Sequence, residues 1–222
     1  MKRTADELLR NDDPAWPAVA LAIQQAGSNA RLLPGAGEQG RRCIEAMQVS
    51  SRSTLGALAF HAGGILLDSG WVRILGCGHQ ECALSLESAT SLLGFARLNQ
   101  PPVGVVVGVD ILGGIFAING GFLQSTPLGQ VAYFSPETLE WTGLGVGHTA
   151  WVQVMLSEER RDKFYTNVRW SGWREEVAAL PANAGLAFYP FLWSLESRPL
   201  ERTSRTQTPI DQLIRFHLEA RP

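Results

Sequence analysis

Gly63-Gly64-Ile65-Leu66-Leu67-Asp68-Ser69-Gly70-Trp71-Val72-Arg73-Ile74-Leu75 decides how the rest of the chain is read. Two apolar runs, 65–68 and 71–75, are separated only by Ser69-Gly70, and Gly63-Gly64 divides them from a third run, 55–60. A parallel return needs a crossover of about a dozen residues or more, so connections this short imply antiparallel neighbours. The segment therefore predicts a β-meander. A second series of apolar runs follows at 103–109, 115–118 and 130–134. It is punctuated by Gly113-Gly114 and Asn119-Gly120-Gly121, residues that accept the positive φ of tight turns. Val103-Gly104-Val105-Val106-Val107 reads as a central strand covered on both faces, and Leu139-Glu140-Trp141 as the start of another strand.

On both sides of this block the pattern turns helical. Thr4 and Glu7 form a capping box for a short helix over 6–10. Asp13 and Pro14 open a second, in which Trp16, Val19, Ala20 and Ile23 recur at helical spacing until Gly27. A third is predicted over 38–49, and a helical turn around 88–98. After Gly147, segments at 149–156, after Ser157 and after Ser171 read as helices, the last stopped by Pro181. A late strand is expected over 186–191, and Thr208-Pro209-Ile210-Asp211 opens a C-terminal helix in which His217 reads as a surface or half-buried residue. Helices, strands and helices in blocks argue one α+β domain over 1–222: helical 1–50, a mainly antiparallel sheet core 53–141, and a helical and strand extension 147–220.

Composition narrows the functions open to such a domain. Hydrophobic residues at 45% and charged residues at 18% are a globular composition, not a disordered one. With 19 basic against 21 acidic side chains and no basic stripe, the chain lacks the electrostatic footprint of a nucleic-acid binder. The longest apolar stretch, 103–118, holds Asp110 and four glycines and is too short to span a bilayer, and the charged N-terminus lacks the apolar region of a secretory signal. Three cysteines, Cys43, Cys77 and Cys82, are too few for a disulfide framework, so reduced thiols in the cytoplasm are expected.

Two motifs invite a chemical reading. Gly35-Ala36-Gly37-Glu38-Gln39-Gly40 is a G-x-G-x-x-G opening a helix, but Pro34 closes its one candidate strand, Arg31-Leu32-Leu33, and no acidic ribose ligand follows. Cys77-Gly78-His79-Gln80-Glu81-Cys82 gathers zinc-ligand residue types without the paired spacing of a zinc knuckle. Neither amounts to a site, and no cofactor or metal is expected. There is no G-x-S-x-G elbow and no H-E-x-x-H helix. His148 and Asp110 could serve as base and orienter, yet nothing pairs them with a nucleophile. Seven tryptophans chiefly fill the core, and Arg169-Trp170-Ser171-Gly172-Trp173-Arg174 is the candidate interaction surface, with Arg169, Trp170, Trp173 and Arg174 as its contacts.

Several stretches together resemble the bacterial domain of unknown function 2625. They are Asp13-Pro14-Ala15-Trp16-Pro17, the segment from Gly63 to His79, Asp110 to Gly121, Tyr133 to Trp141, Arg169-Trp170-Ser171-Gly172-Trp173, and Phe188-Tyr189-Pro190-Phe191-Leu192-Trp193. The resemblance implies a shared fold and no assigned reaction. A remoter likeness is to the SUKH superfamily of Smi1/Knr4-like proteins, carried by Asp110, Gly113-Gly114, the strand 116–118, and Gly129, Val131, Tyr133 and Phe134. That likeness implies a SUKH-like core with a C-terminal extension, and a role like that of immunity proteins, which bind and neutralise toxins.

The expectation is therefore a non-enzymatic binding protein whose partner is another protein, such as a toxin, or a second copy of itself. The alternative is a small-ligand-binding protein or enzyme that uses the glycine-rich turns, with Asp68, Trp71, His79 and Asp110 lining the pocket.

Overall fold

Short connections do fold the apolar runs back on one another. The computed structural model describes residues 2–97 and 100–221. Strands β1 (Ala30–Pro34), β2 (Ala62–Leu67), β3 (Val72–Leu75), β4 (Gly104–Asp110), β5 (Ile115–Asn119), β6 (Gln130–Ser135) and β7 (Glu140–Gly147) form one sheet in sequence order, each antiparallel to the next. The turn Asp68–Gly70 sets the register Leu67 to Val72 and Gly64 to Leu75. The fold is α+β.

Helices α1 (Ala5–Leu9), α2 (Trp16–Gln25), α3 (Gly37–Met47) and α4 (Thr54–His61) surround β1 in sequence. α5 (Leu86–Leu92) lies along the first half of β4, beyond the end of β3, and its Thr90 hydroxyl accepts the Val106 N–H at 3.1 Å. After the sheet come α6 (His148–Leu156), α7 (Glu158–Phe164), α8 (Trp173–Ala178), a hairpin of β8 (Ala184–Tyr189) and β9 (Ser204–Pro209), and α9 (Ile210–Glu219). α2, α4 and α6 pack together over one face of the sheet, where the fully buried Trp151 of α6 stands over Gly108. A Cβ at Gly108 would fall 2.7 Å from that indole, so the glycine is what admits the helix. The β8–β9 hairpin joins the sheet from another side, with the Leu186 N–H donating to the Ile111 carbonyl at 2.8 Å.

Three expectations are corrected by the coordinates, and one strand was not expected. Residues 55–60 are helix α4, not a strand: the Ser53 hydroxyl caps its start by accepting the Gly56 N–H at 3.0 Å, and burial on nearly all sides erased the helical period from the sequence. α2 begins at Trp16 with Pro17 in its first turn, not at Asp13 and Pro14. The cap position of α8 is held by Gly172 at φ 80°, not by Ser171. β9 is polar and half-exposed, and carries no alternation from which to predict a strand. The helical turn expected around 88–98 is α5, with Leu98 outside the described residues.

His217 is the remaining correction, being 4% exposed and set edge-on to Trp193 at 5.5 Å. Burial disfavours the imidazolium and pushes its pKa down to about 4. The unfolded chain takes up this proton near pH 6.5. The stability tied to neutral His217 is thus complete above about pH 6.5 and is lost as the pH falls from there towards 4. Urea unfolding at pH 7 and pH 4 should show a loss on the order of 2–3 kcal/mol from this group, and His217→Phe should lose correspondingly less over the same interval.

Candidate functional site

The turns β2–β3, β4–β5 and β6–β7 emerge at one end of the sheet, and the chain's buried carboxylates lie there. Asp68 and Ser69 adopt left-handed backbone, φ 47° and 59°, which turns β2 back into β3 and holds the Asp68 carboxylate beneath the surface. Arg161, with no exposed surface, grips it as a fork: Nε donates to Oδ2 at 2.7 Å and Nη2 to Oδ1 at 2.5 Å. Arg169 adds a third bond, Nη2 to Oδ2 at 2.6 Å, and also donates to Asp162. The Arg169 guanidinium lies 3.9 Å over the ring of Trp173 and 4.9 Å over that of Trp71, a desolvated cation–π stack. Burial would raise the Asp68 carboxyl, but the bonds and charges of the two arginines outweigh it and hold the group below its ordinary range.

Asp110 ends β4 and is fully buried. Its Oδ1 accepts the N–H of Leu112 at 3.0 Å and of Gly114 at 2.8 Å. Its Oδ2 accepts the hydroxyls of Tyr133 at 2.7 Å and Tyr165 at 3.1 Å. The Gly113-Gly114 pair follows from this arrangement. Gly113 sits at φ 85°, and a Cβ at Gly114 would collide with both Asp110 Oδ2 and the Tyr133 hydroxyl. Burial raises the Asp110 carboxyl above the usual range against the pull of its four donors, and burial with the Asp110 charge lifts both tyrosines well above theirs. Tyr165 joins the two clusters, its hydroxyl on Asp110 and its ring edge-on to Trp71 at 5.5 Å.

This seam ties α7 and the segment after it onto the ends of three hairpins. Every carboxylate oxygen of Asp68 and Asp110 accepts at least one bond from a protein donor. Among the described residues no imidazole bonds to either carboxylate, although the His217 ring lies against Gly113 of the Asp110 turn. His148 lies beside Trp151 with both ring nitrogens unpartnered, and burial pushes its pKa down to about 4. The structure brings Asp68, Trp71 and Asp110 together in one seam, but places His79 beyond the opposite end of β3, where its Nδ1 accepts the Glu81 N–H at 3.2 Å. A cleft of about 490 Å³ lies between α5 and α9 and another of about 400 Å³ beside β7, and neither is lined by those four residues.

Trp170 and Trp173 are turned inward, 3% and 7% exposed, so of the predicted interaction surface only Arg174 is largely open to solvent. Trp170 instead donates its indole N–H to Glu176 at 2.8 Å. Two of the glycines of residues 35–40 serve packing: a Cβ at Gly40 would strike the Phe60 carbonyl of α4 at 2.2 Å, and one at Gly35 would stand 3.0 Å from the His61 backbone and from Cys77 Sγ, whereas Gly37 has open space around it. Among the described residues no three His, Cys, Asp or Glu side chains gather as a metal would require, and no helix is long and apolar enough to cross a membrane.

An aromatic ridge that the sequence did not single out as a surface runs from the end of β8 onto α9. Tyr189 is 68% exposed, and Phe191 and Phe216 are 38% and 40% exposed. Phe191 stacks on Trp193 at 4.6 Å, with the planes 11° apart, and its ring lies 5.4 Å from that of Phe216. The stretch Phe188 to Trp193 was visible, but whether aromatic side chains face inward or outward is fixed by tertiary packing.

Comparison with known proteins agrees with the resemblance to the domain of unknown function 2625, and it does not extend to the SUKH superfamily. The chain is 38% identical over 207 residues to the uncharacterised protein YbfG of Escherichia coli strain K12, covering 92% of this chain and 93% of that one. It is 28% identical over 190 residues to an uncharacterised protein of Haemophilus influenzae strain Rd, covering 86% and 82%. Residues 5–213 match the family described as Protein of unknown function DUF2625, and the chain belongs to that family.

Proposed function

We propose that this member of the DUF2625 family is a non-enzymatic binding protein whose contact surface is the ridge of Tyr189, Phe191 and Phe216. That ridge is the observation that carries the proposal. Isolated exposed apolar residues are ordinary, but a contiguous group of stacked aromatics on a water-facing surface marks an interaction site. Such side chains supply large contact area at little conformational cost, and they dominate interface energetics. The ridge also stands on a rigid base, since β8 is bonded to β9 along its length and to Ile111 of the sheet.

The seam of Asp68 and Asp110 supports the same conclusion, because both carboxylates are buried and engaged in holding the fold. A toxin as the partner, with neutralisation as the outcome, is the specific form implied by the SUKH-like segment from Asp110 to Phe134. Free thiols at Cys43, Cys77 and Cys82 accord with a reducing, cytoplasmic setting. Affinity capture with the full chain from its native host is the test. A stoichiometric protein partner is expected, and repeated recovery of the chain alone, at a monomer's mass, would overturn the proposal.

A further inference from the structure

β9 is an open sheet edge. It pairs with β8 alone, in an unbroken register that runs from Ala184 opposite Pro209 to Tyr189 opposite Ser204. The Leu186 N–H turns away from β9 to reach the Ile111 carbonyl at 2.8 Å, so Leu186 and Gln207 stand opposite each other without exchanging bonds. Alternation makes Phe188 and Arg205 the same kind of pair, with the bonded pair of Ala187 and Thr206 between them. Arg205 and Gln207 therefore direct their backbone N–H and C=O groups outward, away from β8. Among the described residues no other backbone group bonds to these four. Pro209 falls where an N–H would also point outward, the position at which an edge strand tolerates proline.

Open edges invite pairing, and proteins blunt the ones they do not use. Both edges of the seven-stranded sheet are blunted. β1 ends at Pro34 with a register shift after Leu33, and β7 meets β6 across a shift between Gln130 and Ala132, with Gly145 at φ 71°. β9 has no bulge and no lysine. Its one charge, on Arg205, is taken up by Glu176 at 3.0 Å, and Ser204, Thr206 and Gln207 are exposed.

We propose that β9 pairs with β9 of a second copy of this chain about a two-fold axis at Thr206, joining the two hairpins into one four-stranded antiparallel sheet. A two-fold contact needs a surface that complements itself, and the outward groups of β9 do so in one register. With Thr206 opposite the partner's Thr206, Arg205 meets the partner's Gln207 and each such pair exchanges two bonds, which satisfies all four outward groups of both copies. Facing threonines are themselves a favourable cross-strand pair. An axis at Arg205 instead sets like charges opposite each other and brings Gln207 to the partner's Thr203, whose N–H is already given to the Leu200 carbonyl at 3.1 Å. An axis at Gln207 brings Arg205 to the partner's Pro209, which has no N–H to give. The contact is separate from the aromatic ridge and does not depend on it.

Sedimentation equilibrium of the full chain across the micromolar range tests the proposal, and the mass should approach that of two chains. Gln207→Pro removes two of the bonds between copies and leaves every bond to β8 in place. Its dimer should dissociate at least about thirtyfold more readily, with the near-ultraviolet spectrum unchanged. Thr206→Cys reads the register directly. Facing Cα atoms in such a pair stand about 4.5 Å apart, within disulfide reach, so mild oxidation should link two chains through position 206. A parent that keeps the mass of one chain throughout, or a dimer whose dissociation constant Gln207→Pro leaves unchanged, would overturn the proposal. Should Gln207→Pro not fold, an undiminished dimer in Thr206→Lys, which sets two like charges face to face, would do the same.

Discussion

Arg161→Leu is expected to destabilise the protein by about 3–5 kcal/mol, the usual cost of removing one partner from a buried ion pair. Arg161 makes two of the three charged contacts to Asp68, and its Nη1 also donates to the Met155 carbonyl. Its loss leaves a buried carboxylate held by Arg169 alone, and Arg169 is shared with Asp162. The urea midpoint should therefore fall with the slope nearly constant. Asp68→Asn introduced together with Arg161→Leu should recover part of the loss, because the buried negative charge is then gone as well. If the double variant is no better than Arg161→Leu, the energy of this cluster comes from packing and not from charge.

Asp110→Ala should have an effect of similar size for a different reason. It strands the N–H groups of Leu112 and Gly114 and the hydroxyls of Tyr133 and Tyr165. Each buried donor left without an acceptor costs about 1–3 kcal/mol, so a total of roughly 4 kcal/mol allows for partial relaxation and water entry. Asp110→Asn should fall not far short of that, since its NH₂ turns a donor towards groups that are themselves donors. Tyr133→Phe and Tyr165→Phe remove one bond each and should lose only about 1 kcal/mol apiece. Equal effects from Tyr133→Phe and Asp110→Ala would show that the carboxylate is not the centre of the network.

The sheet was legible because its connections were short. Ser69-Gly70 and Gly113-Gly114 left the chain no room for parallel returns, and the strands they join fall where the apolar runs are. Helix α4 was misread because a segment buried on nearly every side has no polar face to reveal its period. β9 was missed for the opposite reason, since Ser204 to Thr208 pair with β8 through the backbone without an apolar face. The site was harder still. Asp68, Trp71 and Asp110 were picked out, with His79, as a ligand pocket beside glycine turns, but the partners Arg161 and Tyr165 that hold them lie 93 and 55 residues away in sequence. Nothing local predicts such a pairing. Trp170 and Trp173 looked like a surface because arginines flank them, yet Arg169 lies buried over Trp173 and completes the seam with them.

Seam as scaffold and ridge as contact is the account's central distinction, and one capture experiment separates them. The full chain would be compared with Tyr189→Ser/Phe191→Ser/Phe216→Ser and with Tyr165→Phe, each first shown to be folded by its near-ultraviolet spectrum and cooperative unfolding. The ridge variant should lose the partner that the parent recovers, and Tyr165→Phe should retain it in proportion to the folded protein present. Retention of the partner by the ridge variant, or its loss from a folded Tyr165→Phe, would contradict the account.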